Sequence, residues 1–522
     1  MRPQRALYAL LFAVHPVLWL YVSNRNEVRF ADVVPALLVS LGFATLLLLV
    51  WTRLLRDSVR AALLTSLFLV AFFTFGHVVA AWSAAGAPGQ ARLWVGVVWG
   101  VGVVASSVAL VRTRRRLDGV ARFTALVALV LVGSTLVSLA VQWRRASAAQ
   151  AGRRAAEPLA AAGSTAVAPS ALPDIYYIVV DGYARHDTMR DLYGYDNVAF
   201  LERLRQRGFQ VSGDSRANYC KTLHALASTL NMQYLHEILD VPASSVDSEP
   251  LIRLVRSNRT VHMLRERGYS IVTFASGYDL AEFSKIDHYL DAGASWSEFA
   301  NVLLATTPLP WVLGDVADPH ARHRRRLEFI LDGVAHVRQG QPPRFVFAHL
   351  LAPHPPFVFD RDGRALRVER PFGYYDGSDY YKHGGTREEY VAGYAEQARW
   401  VTTRLEQVLV ALLQRYGDQP PIIFVQSDHG PGSRLDWKSV PDTDLDERFG
   451  ILMAAYLPGR PAVDLGDAFS PVNIFRLVFD VYFGASLAPL EHHSYYTFQS
   501  QPFHYIDVTN PEAPTAPRRG RR

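Results

Sequence analysis

The chain is predicted to be an α-helical membrane domain followed by an α/β/α sandwich, and three observations carry that prediction. Five apolar stretches near 6–23, 33–51, 61–82, 93–111 and 123–143 each approach the roughly 20 residues that cross a bilayer core. After residue 173, apolar β-branched runs alternate with helical stretches, the rhythm of a mostly parallel sheet covered on both faces. Three of those runs stop on polar residues, as strands of an open α/β sheet do where they present functional groups at their carboxyl ends.

The spans come first. At 522 residues and 50% hydrophobic content the chain exceeds one ordinary domain, and the apolar residues crowd its first third. The first span could be a signal peptide, but it lacks a small-residue cleavage site and another full span follows it. Arg2 and Arg5 precede it, Arg53, Arg56 and Arg60 follow the second span, and Arg112, Arg114, Arg115, Arg116 and Arg122 follow the fourth. The alternate loops hold only Arg25, Arg29 and Arg92, so the positive-inside bias places the N-terminus in the cytoplasm. An odd number of crossings then sends everything after Trp143 across the cytoplasmic membrane to the extracytoplasmic side, although Arg144 and Arg145 run against this bias. Much of the net charge of +6 is this flanking arginine, which orients the chain in a membrane, so nucleic acid is not the inferred partner. The single Cys220 excludes an intrachain disulfide and a Cys-rich zinc site.

Residues 144–172 are Ala-rich with scattered Ser, Gly and Pro, and read as a linker or partly helical stalk. A strand over 174–180 follows, ending on Asp181-Gly182, then a helical stretch through Arg207. Further strands are predicted over 269–275, 344–351, 420–426 and 451–457, with helices over 387–416 and 471–483. The Arg-rich stretch 320–326 reads as a solvated helix face, a lipid-headgroup contact being the weaker alternative. Stretches 277–320 and 358–386 carry no motif and are taken as pocket-forming loops.

Chemistry gathers at the strand ends. The run Pro420-Pro-Ile-Ile-Phe-Val-Gln-Ser-Asp-His-Gly430 delivers Asp428 and His429 as candidate metal ligands, the plain alternative being a strand-to-loop turn in which Asp bonds its own backbone. Asp181 and the segment from His349 to His354 end two more strands. Two carboxylates within about 4 Å repel by roughly 4 kcal/mol at an effective dielectric near 20, so a divalent cation between them is expected. Carboxylate oxygens with one imidazole suit zinc or manganese. Thr222 opens a predicted helix; it is either an N-cap worth about 1 kcal/mol, or a nucleophile whose ionised form is favoured by the helix dipole and a nearby cation. His354, within Pro353-His-Pro-Pro356, is either a group at the site or a surface histidine on a rigid loop.

This order of Asp-Gly after a first strand, a hydroxyl residue at a helix start, Pro-His-x-Pro, and a late Ser-Asp-His-Gly resembles the alkaline phosphatase and sulfatase superfamily. With five membrane helices ahead of it, the arrangement is similar to lipoteichoic acid synthases and phosphoethanolamine transferases. The resemblance implies a sandwich of alkaline phosphatase type in which Asp181, Asp428 and His429 hold the catalytic metal, Thr222 is both ligand and nucleophile, and His354 contacts the transferred or leaving group. It implies a hydrolase or transferase acting on phosphate or sulfate esters, with a membrane lipid or envelope glycan as substrate. A non-catalytic interaction module for envelope assembly is the rival from another class. The chain departs from the formylglycine sulfatases, because Cys220 is not followed by their Cys-x-Pro-x-Arg pattern. Asp379-Tyr-Tyr-Lys-His383 has spacing that could serve a second metal, or is a Tyr-rich surface loop. The expected division is 1–143 membrane domain, 144–172 linker, 173–510 extracytoplasmic catalytic domain and 511–522 basic tail.

Overall fold

The computed structural model describes residues 3–24, 30–84, 91–150, 172–283, 286–293, 298–314, 318–368, 370, 372–460 and 462–510. Most of the expected linker, the basic tail, and Arg2, Arg25 and Arg29 lie outside the described residues. The chain divides into two units, Met1–Arg153 with Trp296–Arg322, and Arg154–Ser295 with His323–Arg522.

In the first unit the apolar runs form α1 (Leu11–Ser23), α2 (Phe30–Leu55), α3 (Ser58–Ala84), α4 (Ala91–Arg112) and α5 (Asp118–Gln150). Five helices are long and apolar enough to cross a membrane. Their large exposed residues, such as Leu38, Val39, Val98, Val104 and Phe123, are aliphatic or aromatic, the surface a helix turns toward lipid. The Arg60 side chain donates to Thr113 O at 2.8 Å, which puts the two Arg-rich loops, after α2 and after α4, at one end of the bundle. The helix α5 continues past residue 143 into the expected linker. The division of the chain also needs correction, because Trp296–Arg322, expected in the catalytic domain, clusters with the membrane helices. Its apolar side chains find their partners there.

The second unit is built on β1 (Ile175–Val180), β2 (Gln210–Val211), β3 (Ser270–Phe274), β4 (His288–Leu290), β5 (Arg344–Leu350), β6 (Ile422–Gln426) and β7 (Met453–Tyr456). They form one sheet in the order β2-β7-β6-β1-β5-β3-β4. The inner pairs are parallel, whereas β7 runs antiparallel to β6 and to β2 at one edge. Two further strands, β8 (Tyr495–Phe498) and β9 (Gln501–Asp507), pair apart from this sheet.

Alternation along β1 shows why the sheet is covered twice. Tyr176, Ile178 and Val180 enter one apolar cluster with the helix Arg387–Tyr416, while Ile175, Tyr177 and Val179 enter another with helices Thr222–Asn231 and Ile474–Phe483. All six are buried, each contributing about 1.5–3 kcal/mol by the usual transfer value, so β1 reads as a continuous apolar run without alternation of polarity. The helix Arg387–Tyr416 starts on a capping box, with Thr386 accepting from Glu389 N and Glu389 reaching back to Thr386 N. The stretch 320–326 is corrected as well, since His320, Arg322, His323 and Arg326 are buried on the helix Pro319–Val334. The Arg326 guanidinium lies so close to Gly277 that a Cβ there would come within 2.0 Å of it.

Candidate metal centre

The three central strands lie side by side and parallel, so their carboxyl ends meet. Val179 is in register with His349 on β5 and with Gln426 on β6. Asp181 and Asp428 each follow two residues beyond their registered partners, and His349 faces them from the third strand. Gly182 has φ +71°, a conformation other residues adopt rarely, and its amide donates to Asp428 Oδ1 at 3.2 Å. Gly430 is required for a different reason, since a Cβ there would lie 2.0 Å from Glu447 O. That turn therefore needs close backbone approach; its φ is not positive.

Asp181, Asp428 and His429 are all buried, and one ligand atom from each falls within 4.8 Å of the others. The imidazole Nδ1 of His429 donates to Gly430 O at 2.9 Å, which leaves Nε2 as a lone pair facing Asp428 Oδ2 at 3.4 Å and Asp181 Oδ1 at 3.6 Å. Burial, then the nearby Arg448, pull the His429 pKa down to about 4, so the ring is neutral at neutral pH. Among the described residues neither Asp181 Oδ1 nor Asp428 Oδ2 has a hydrogen-bond partner. A buried polar atom left without a partner costs about 1–3 kcal/mol, and these two oxygens with an imidazole lone pair make a donor set suited to a divalent cation. The residues fit such an ion.

Thr222 Oγ1 closes the fourth side, 3.1 Å from His429 Nε2 and 3.4 Å from Asp181 Oδ2. The N-cap alternative fails, because the cap position is Lys221, and Thr222 is the first residue of the helix Thr222–Asn231. The hydroxyl thus sits where the helix dipole favours an anion. Cys220 points elsewhere. Its Sγ accepts from Thr497 N at 3.3 Å and lies among Ala217, Leu435, Trp437 and Tyr496. Lys221 donates to Phe498 O at 2.8 Å and rests over the Trp437 ring.

His354 is nearly buried, and its Nδ1 donates to Pro355 O at 2.6 Å. Its Nε2 is 3.7 Å from Asp376 Oδ2, and its ring centre is 6.1 Å from that of His429. Burial works against ionisation of Asp376, but the Arg448 guanidinium and then His354 hold its carboxyl well below the usual range. A surface histidine is thereby ruled out, although His354 is not in the ligand cluster. Among the described residues Asp379 and His383 join no ligand cluster: Asp379 pairs with Lys382, and His383 stacks on Tyr375. His492 bonds Ser470 and Ser494.

Two groups at the site had no decisive signal in the sequence. His349 is fully buried, with Nε2 3.0 Å from Asp181 Oδ2, an arrangement in which Nε2–H donates and turns Oδ1 toward His429. A histidine inside an otherwise apolar strand was the available hint. Arg448 is the larger omission. Its guanidinium donates to Cys220 O at 2.9 and 2.6 Å, to Gly430 O at 2.8 Å and to Asp376 Oδ2 at 2.6 Å, tying the Thr222 segment, the Asp428 loop and the His354 partner together. No spacing marks it, since its partners lie as far as 228 residues away. Its neighbour Glu447, whose carboxyl burial pushes up to about 7, gathers Ser433 and Arg434 amides and the Tyr193 hydroxyl beneath the same loop.

No family model matches the chain, and no curated protein matches it. Among solved structures it is similar to the C-terminal periplasmic domain of EcEptC from Escherichia coli in complex with Zn, at 15% identity over 67% of this chain and 96% of that one, with a TM-score of 0.40. It is similar also to the integral membrane protein lipooligosaccharide phosphoethanolamine transferase A from Neisseria meningitidis, at 13% identity over 91% and 94%, TM-score 0.39. A third is the phosphonate monoester hydrolase of Agrobacterium radiobacter, at 15% identity over 61% and 74%, TM-score 0.38.

Proposed function

We propose that the chain is a membrane-anchored, metal-dependent hydrolase/transferase of sulfatase-like type, which moves a phospho-headgroup onto or from an envelope lipid or glycan through a Thr222-linked ester. The observation that carries this reading is Thr222 Oγ1 at a helix start, within 3.1 Å of His429 Nε2 and 3.4 Å of Asp181 Oδ2, beside two buried carboxylate oxygens that have no hydrogen-bond partner among the described residues. Asp181, Asp428, His429 and Thr222 would hold a divalent ion, zinc or manganese, which when bound supplies positive charge that favours an ionised hydroxyl and steadies charge developing on an ester.

The Thr222 hydroxyl first loses its proton to solvent. Its Oγ1 then bonds to phosphorus, the bond to the leaving oxygen breaks, and that oxygen takes a proton from His354 Nε2. Asp376 Oδ2 lies 3.7 Å from that nitrogen. In the second half an acceptor hydroxyl gives its proton to His354 Nε2, bonds to phosphorus and displaces Thr222 as the ionised alkoxide. Water as acceptor makes the reaction a hydrolysis. The five spans favour a lipid as donor or acceptor, and hence transfer.

Purified full-length protein loaded with zinc or manganese is expected to turn over an aryl phosphate or phosphodiester, and to stop when a chelator removes the ion. Protein that stays folded, takes up metal and turns over neither would sink the reading. Comparing the lipids of a deletion strain with its parent by mass spectrometry would identify the headgroup moved. The arginine distribution supports an extracytoplasmic catalytic unit, with the chain in the cytoplasmic membrane. Reporter fusions at Gly89 and Pro173 are expected on the extracytoplasmic side, and a cytoplasmic signal at Pro173 would put envelope donors out of reach.

A further inference from the structure

The stretch from Phe299 to Gly314 contains no Asp, Glu, Lys or Arg, although it lies in sequence between elements of the sheet unit. It forms two short helices, Glu298–Ala305 and Leu309–Leu313, joined at Thr306-Thr307. On the first helix, Phe299 and Leu303 are buried in one cluster with Phe12, Val17 and Leu20 of α1 and Leu69 and Phe73 of α3. At the turn, Thr306 O accepts from the amide of Gly76 at 2.8 Å. A Cβ on Gly76 would lie 2.0 Å from Ala305 O, so only glycine admits this backbone contact on a membrane helix. The two threonine hydroxyls donate back to Leu303 O and Leu304 O at 2.7 Å, which satisfies them without water. On the second helix the Trp311 ring meets Phe75 edge-on at 4.9 Å and covers Gly96 of α4, where a Cβ would come 2.6 Å from the ring.

Gly76 is eight residues short of the end of α3 at Ala84, about 12 Å along the axis at ~1.5 Å per residue. The turn therefore reaches a depth comparable with the outer part of a hydrocarbon core roughly 30 Å thick. Among the described residues, the large side chains left exposed are apolar: Val302 at 40%, Trp311 at 45% and Val312 at 79%. This surface continues onto exposed Val97 and Val98 of α4, and the exposed tryptophans Trp82, Trp94 and Trp311 gather toward the α3–α4 end, as an interfacial aromatic belt does.

We infer that residues 299–314 are a membrane-embedded helical hairpin, seated in the leaflet on the side of the α3–α4 connection, whose exposed face is covered by lipid acyl chains. The sheet unit is thus tied to the bilayer a second time, by a segment that its own chain lends to the membrane unit. This assignment is independent of the proposed reaction.

The test uses full-length protein in phosphatidylcholine vesicles. Val312→Cys carries a nitroxide, and Val246→Cys, 56% exposed in the sheet unit, is the water-facing control. The wild-type chain is the blank, because its one cysteine, Cys220, is buried. At position 312 collision with oxygen is expected to be high, and collision with a water-soluble nickel chelate about tenfold lower than at 246. Equal nickel accessibility at both positions would overturn the inference. Low accessibility of position 312 to both reagents would overturn it too, by showing a protein partner over this face.

Discussion

Thr222→Ala is expected to reduce turnover at least about a thousandfold while leaving the fold and the bound metal largely intact. The hydroxyl makes no capping bond, its contacts being His429 Nε2 and Asp181 Oδ2, so its loss removes the proposed attacking oxygen and at most one proposed ligand. The stability cost should not exceed the ~1 kcal/mol of a lost cap. Cys220→Ser retains most activity, because its Sγ lies in an apolar cluster and touches Thr497. Brief incubation of wild type with substrate, followed by acid quench and peptide mass spectrometry, is expected to place a phosphoryl-type adduct on the Thr222 peptide. An inactive Cys220→Ser beside an active Thr222→Ala would reverse the assignment of nucleophile.

Asp428→Asn is expected to lose the metal. The substitution removes the proposed ligand whose Oδ2 has no hydrogen-bond partner among the described residues, and leaves Asp181 and a neutral imidazole to hold a dication. Competition with a fluorescent chelator should give an affinity at least about a hundredfold weaker, from loss of a charge-bearing ligand. His349→Gln should weaken metal affinity about tenfold or more, since it acts only by orienting Asp181. His354→Ala should leave affinity near wild type and lower kcat, as its partners are Pro355 O and Asp376 and it lies outside the ligand cluster. The ranking of these three affinities is the check. If His354→Ala lost the ion as readily as Asp428→Asn, His354 would be a ligand and the proton-transfer role would fall.

Much of this architecture was legible because its signals are local. An apolar run of about twenty residues announces a span by its length alone, and each expected span has a helix over it. The strands ending at Val180, Leu350 and Gln426 were visible as short apolar runs, and parallel neighbours had to bring their polar ends together, which is how Asp181, Asp428 and His429 could be named in advance. Thr222 was recognisable as a hydroxyl at a helix start, with its role divided between cap and nucleophile. Only the position of Lys221 as the cap, and the distance from Oγ1 to His429, decided against the cap.

Other features depend on partners far apart in the chain, and no periodicity encodes those. Strand direction is one: Met453–Tyr456 has the composition of any buried strand, and its antiparallel pairing with β6 comes from the route of the chain between them. Arg448 is another, an ordinary arginine in sequence that becomes the junction of three site segments because Cys220, Asp376 and Gly430 converge around it. The helices Glu298–Ala305 and Leu309–Leu313 are each too short to read as a span, so their apolar residues looked like loop until Gly76 and Gly96 supplied the surfaces they pack on. Sequence by itself determined the spans, the layered sheet and the polar strand ends, because those follow from residue-by-residue polarity; the tertiary structure alone decided which buried groups neutralise and orient one another, because that energy exists only between segments the fold has already brought into contact.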